Sequence, residues 1–271
     1  MQKFILFILL FGFTIATKAS GDNQNAGARS AALGNASVSI SDLWSVQNNQ
    51  AGLAFLEKIS AGVFYENRFM LKQTAVKATA AVLPLKQGVF GISMTSFGYA
   101  SFTENKYGLS FAKAFGPAIS AGIQFDYINT KIAENYGSTG IPVVEMGLQT
   151  KPLKNLTIGA HIYNPTRAKF ADYNDERIPT IMRLGMNYQF SNKIFIAIET
   201  EKNIALKSVI KAGIEYQVTK EFYLRTGIST NPAFSSFGFG LHLRQFKLDF
   251  SSSYHSVLGF SPQVGMNYEL K

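Results

Sequence analysis

Cysteine is absent from the 271 residues. That excludes a disulfide framework, a thiol nucleophile and a lipidated N-terminal cysteine. Beyond the first residues there is no long apolar run, which argues against a helical membrane protein. Charged residues make up only 16% of the chain. The three histidines, His161, His242 and His255, stand far apart, and neither a metal-ligand spacing nor a phosphate-cradling glycine loop is found. The stretch "SSSYHS" (residues 251–256) raises a serine hydrolase with His255 as base, but no nucleophile elbow accompanies it, and a polar strand end is the simpler reading. "DYNDER" (172–177) concentrates oxygen ligands that could hold calcium; a solvated loop paired internally through Arg177 is preferred. No catalytic residue, metal or cofactor is expected.

What is present is aromatic and alternating. The chain carries 23 Phe and 12 Tyr at near-neutral mean hydropathy, a mixture that suits strands with one greasy face. Residues 1–19 read as an export signal: Lys3, the apolar run "FILFILLFGFTIA", then Thr17-Lys18-Ala19 as a small-x-small cleavage site. The run is too short for a comfortable membrane helix. Removing these residues deletes two lysines and no acid, which lowers the net charge from +9 to +7. That excess suits lipopolysaccharide phosphates; the export signal places the chain in the envelope, and no nucleic-acid partner is expected.

From Ile59 onward, stretches of about ten residues alternate apolar and polar, as transmembrane strands require. In 208–218, Ile210, Ala212, Ile214, Tyr216 and Val218 face one way, and Lys211, Gly213, Glu215 and Gln217 the other. Fourteen such strands are expected, near 59–67, 73–84, 88–97, 106–115, 118–129, 141–150, 155–164, 180–190, 194–201, 208–218, 221–230, 235–245, 247–255 and 261–270. Connections after even-numbered strands are tight. Several after odd-numbered strands are longer and polar: "TENK", "KIAENYGSTG" (131–140) and "PTRAKFADYNDERIP" (165–179). Short turns at one rim and long loops at the other fit an outer-membrane barrel of a Gram-negative bacterium better than a soluble sandwich.

Glu145, Gln149, Arg183, Lys211, Glu215, Arg225, His242 and Arg244 are expected to face inward, interspersed with glycines. In lipid every backbone donor and acceptor must be paired within the protein, so the sheet must close. The last strand would then pair with the first. Gln263, Gly265, Tyr268 and Leu270 also fit the loose polar, glycine, aromatic, apolar order that the outer-membrane assembly machinery reads in a C-terminal strand. The expected fold is all-β: a fourteen-stranded antiparallel transmembrane barrel over residues 59–271, preceded by residues 20–58, which do not alternate and are rich in small residues. A barrel this wide needs a channel or a plug. Small residues would let one or two helical turns of 20–58 pack against the glycine-lined wall.

Two stretches of that segment carry a resemblance. "GARSAALGNASVSISD" followed by "NNQAGLAFL" resembles the N-terminal hatch of the PorV/PorQ family, relatives of the FadL channels. Gly27, Ala28, Arg29, Ala31, Ala32 and Gly34 match its first motif; Asn49, Ala51, Gly52 and Leu53 match its second, with Gln50 in place of the usual proline. The resemblance implies a fourteen-stranded barrel with a plugged lumen, and a non-enzymatic accessory of protein secretion (type IX-like) that meets secretion-system components or secreted cargo. The FadL kinship implies an alternative, transport of long-chain fatty acids or other hydrophobic small molecules. They would leave through a gap opened by hatch movement or a strand kink, with the aromatics around 97–102 and 234–239 on their way. A water-filled porin and a soluble secreted β protein are the remaining readings. Arg29, among small residues inside a barrel, needs Glu145, Glu199 or Glu215 as partner, or the wet periplasmic mouth.

Overall fold

The structure is a computed structural model describing residues 23, 25–133, 137–171 and 176–270. The expected leader and Asp172 to Asp175 of the acidic loop lie outside the described residues. Fourteen antiparallel strands form a closed wall: β1 Ser60–Asn67, β2 Ala75–Leu85, β3 Gly88–Tyr99, β4 Phe102–Phe115, β5 Ile119–Ile132, β6 Gly137–Leu153, β7 Leu156–Tyr163, β10 Ile181–Gln189, β11 Ile194–Asn203, β12 Val209–Gln217, β13 Phe222–Ser229, β14 Phe234–Leu243, β15 Phe246–His255 and β16 Gly259–Glu269. Two short strands, β8 Lys169–Ala171 and β9 Glu176–Arg177, pair with each other outside the wall. Closure is made by β16 against β1, with Ser60 opposite Glu269 and Glu66 opposite Gln263. Because that seam is hydrogen-bonded like every other, the barrel sheet has no free edge.

The alternation seen in the sequence fixes which face is which. Outward side chains such as Ile92, Leu109, Phe125, Leu184, Ile210 and Ile228 are more than half exposed, while the residues between them are buried in the lumen. An apolar surface of this extent is stable only in lipid, since each such side chain facing water would forgo roughly 1.5–3 kcal/mol of burial. Aromatic pairs stand on this face near the turn-bearing rim (Phe90 with Phe111, Tyr188 with Phe190, Phe246 with Tyr268) and near the other rim (Tyr254 with Phe260). Among the described residues no helix is long and apolar enough to cross a membrane.

Three boundaries depart from expectation. "TENK" is the start of β4, not a loop, and most of 131–140 is divided between β5 and β6, which leaves 133–136 between the strands. Pairing there continues past the point where apolar alternation stops, because an inner cluster of Ile128, Ile141, Val143, Tyr163, Ile178 and Ile181 still anchors the ladder. Arg244 is not in the lumen; it is exposed in the β14–β15 turn with φ 56°.

Inside the wall lie two short helices, α1 Ala28–Ala32 and α2 Ser45–Asn48, and a 3₁₀ segment Gln50–Phe55. Such irregular backbone survives at membrane depth only if protein groups satisfy it. Ser236 Oγ donates to Ala32 O and accepts from Gly34 N, both at 3.0 Å. Ser120 Oγ donates to Ala51 O at 2.9 Å, and Asn187 Nδ2 to Ser39 O at 2.6 Å. Close approach is what the wall glycines permit. A Cβ added at Gly147 would stand 2.0 Å from Asn49 Oδ1, one at Gly159 2.2 Å from Val38 O, and one at Gly227 2.2 Å from Gly34 N.

Candidate functional site

The site is the meeting of this inner segment with the wall. Gly27 and Gly34 have φ of 102° and 67°, a region that other residues enter only under strain. They bracket α1 and turn its single cation, Arg29, toward β12. Its guanidinium donates to both carboxylate oxygens of Glu215, at 2.8 Å each, and reaches Asp42 at 3.4 Å. Of the three partners expected, the structure selects Glu215. Glu215 also accepts from Arg225 Nε at 2.6 Å, and Arg225 continues to Asp249 at 2.5 Å. Beside this group Lys211 bridges Glu199 (2.9 Å) and Glu201 (2.7 Å), and Glu201 pairs with Arg183 at 2.7 Å. Glu199 accepts from the backbone N–H of Ser37 and of Val38, both at 2.8 Å. Sequence reasoning expected Lys211, Glu215, Arg183 and Arg225 inward; the carboxylate clamp on 37–38 carried no sequence signal.

Across the lumen, Glu145 pairs with Lys106 (2.9 Å) and His161 (3.0 Å), and accepts from Gln50 Nε2 at 2.8 Å. Gln50 thus supplies a wall contact that proline could not. Asn49 is fully buried; its amide donates to Val38 O at 2.6 Å, and its Oδ1 accepts from Ala51 N at 3.2 Å. Ala28, Ala51 and Leu53 are buried as well, and Gly52 lies where a Cβ would meet Ile40 O at 2.7 Å. Trp44, Val46 and Leu53 pack on Phe64, Val76, Ala78, Val82 and Val89, with the indole N–H donating to Asn267 Oδ1 at 3.0 Å.

The C-terminal residues divide between the two faces. Gln263 and Gly265 look inward, Gln263 toward Ser251 (2.9 Å) and Gly265 toward Ala28, whereas Tyr268 and Leu270 look outward. The histidines do not converge. His161 sits on Glu145, His242 lies against Tyr223 (4.3 Å), and His255 Nδ1 accepts from the N–H of Val257 and of Leu258 at 3.2 Å, which makes it a turn cap.

Two cavities lie on opposite sides of α1, both bordered by the later strands and by β1. The larger, about 480 Å³, opens at the loop rim and reaches Ala31 and Asn35; the smaller, about 230 Å³, opens at the turn rim and reaches Arg29, Asp42 and Glu215. Arg29 therefore both pairs with Glu215 and borders the turn-rim cavity. β3 pairs in unbroken register with β2 and β4, so no kink opens the wall there. Of the aromatics expected on a route, Phe97 packs on the Trp44 cluster and Phe234 borders the larger cavity, while Phe237 and Phe239 are exposed on the outer face.

Strand number, closure, the inner segment and the apolar outer band together define a plugged fourteen-stranded barrel of the outer-membrane kind. No family model matches the chain, and no curated protein matches it. Solved structures do. The toluene transporter TodX of Pseudomonas putida is 12% identical with TM-score 0.72, over 92% of this chain and 99% of that one. The CymD monoaromatic hydrocarbon channel is 13% identical with TM-score 0.70, over 93% and 99%. A FadL homologue from Pseudomonas aeruginosa is 13% identical with TM-score 0.62, over 91% and 97%. At these identities the likeness establishes a FadL-like barrel fold.

Proposed function

We propose that this chain is an outer-membrane channel for hydrophobic small molecules, exported by cleavage of residues 1–19, closed by residues 20–58 and spanning lipid with 59–271. The observation that carries the reading is the pair of cavities that reach α1 from the two rims, one bordered by Ala31 and the other by Arg29. A modest shift of 28–42 would join them, and the neighbours of this fold are described as hydrocarbon channels and toluene transporters. Gln263, Gly265, Tyr268 and Leu270 serve barrel assembly in this reading, and the outer strand faces meet lipid and lipopolysaccharide. Uptake of labelled toluene and of labelled fatty acid by cells with and without the gene tests it. Faster uptake of either by the expressing strain supports transport; identical rates for both remove it.

The secretion-accessory reading ranks second. It rests on the PorV/PorQ-like motif, which suits either role, and the neighbours give it no separate support. Recovery of secretion-system proteins or cargo with the barrel from native membranes would favour it over transport.

A further inference from the structure

The loop-rim cavity differs chemically from what a neutral hydrocarbon needs. Arg68, Arg183, Lys207 and Lys211 line it against only two carboxylates, Glu66 and Glu201. Glu199 beneath Lys211 still leaves a positive excess. Arg183 is 4% exposed, yet its Nη1 has no partner among the described residues, and Asn23 Nδ2 on the same lining has none either. Unsatisfied donors buried at a cavity wall cost about 1–3 kcal/mol each unless an acceptor arrives. Phe64, Phe234 and Leu206 supply apolar wall beside these donors.

We infer that the cavity is a binding site for compact organic anions, an aromatic or short-chain carboxylate whose head meets Arg183 and the Asn23 amide while its body lies against Phe64 and Phe234. A carboxylate oxygen supplies the acceptor that Nη1 lacks, the Nε of the same guanidinium being held by Glu201 and its Nη2 by Asn23 O. Lys207, exposed on the 204–208 connection, adds attraction at the mouth without belonging to the buried ion network. This rests on the transport reading and narrows it: the preferred passenger carries a negative charge.

Equilibrium binding of labelled benzoate and of labelled toluene to the purified mature barrel in detergent tests both levels. Benzoate should bind more tightly than toluene and weaken with added salt. Lys207→Glu should weaken benzoate roughly five- to tenfold and leave toluene unchanged. Arg183→Gln should abolish benzoate binding, and heat-modifiable gel mobility reports whether each variant is folded. If Arg183→Gln fails to fold, the Lys207→Glu result decides. Toluene binding without benzoate binding overturns the anion site and leaves the transport reading standing. Binding of neither overturns the anion site and leaves transport to the fatty-acid uptake assay, and benzoate binding indifferent to Lys207→Glu and to salt overturns the assignment to this cavity.

Discussion

Two of the contacts that hold the inner segment to the wall are unlike. Against β1–β3 it presents Trp44, Val46 and Leu53 to an apolar bed; against β11–β15 it presents Arg29 and the N–H groups of Ser37 and Val38 to Glu215 and Glu199. An apolar contact cannot slide without opening a void, and its strength barely depends on salt. An ionic contact can exchange one partner for another at little change in charge balance, provided other ions stand close by. Here they do: Glu215 has two arginine partners and Lys211 has two carboxylates. Both cavities border the ionic contacts, and each also touches the apolar bed, the larger at Phe64 and the smaller at Leu43. The difference teaches that the segment is packed on apolar side chains along one side of the lumen and ion-paired along the other, so in the proposed channel a motion that joins the cavities would pivot on Trp44, the anchor, and release Glu215, the latch.

The largest effect should come from the anchor. Trp44→Ala removes a fully buried indole, its edge contact with Phe64 at 5.8 Å and its hydrogen bond to Asn267. A loss of about 3–5 kcal/mol is expected, read from urea unfolding in detergent micelles. A loss below about 1 kcal/mol would mean that the apolar side is not the anchor. Next comes the latch. Glu215→Gln leaves Arg29 and Arg225 without their shared carboxylate and should cost about 2–4 kcal/mol. Its distinguishing signature is conductance: if the ion pairs that border the turn-rim cavity close the lumen, the variant should pass more current than the wild type in planar bilayers. Unchanged current with Glu215→Gln would reverse the assignment of anchor and latch.

How much of this was legible beforehand follows from what each feature leaves in the sequence. The wall was legible because alternation has period two and lipid forbids exceptions along ten residues; all fourteen strands were expected. Strand ends were not. Phe102 to Lys106 and the ends of β5 and β6 pair past the point where apolar alternation stops, and a ladder can be extended by side chains of either polarity. Asn49 and Gly52 stood out as turn-forming residues, and Gly27 through the resemblance to the PorV/PorQ hatch motif. That Glu199 clamps the backbone at 37–38 could not be read, since a carboxylate that accepts from N–H groups of a distant segment looks like any other inward polar residue. Arg29 lay between: the need for a partner was plain, but choosing Glu215 over Glu145 or Glu199 depends on where α1 sits around the barrel.

The smallest effect tests whether a cation outside the latch behaves like those within it. Lys151, near the end of β6, holds its ammonium 3.4 Å from the centre of the Phe55 ring, at the end of the 3₁₀ segment just before β1. Here the charge meets a quadrupole instead of a carboxylate, and the ring is also covered by the lysine stem. Lys151→Met keeps the covering and removes the charge, so a loss of about 0.5–1 kcal/mol in the same urea titration is expected, with conductance unchanged. A loss above about 2 kcal/mol would place the main hold at the junction between inner segment and wall, not at Trp44. A rise in current would show that charge latches here too, and the contrast between the two contacts would then vanish.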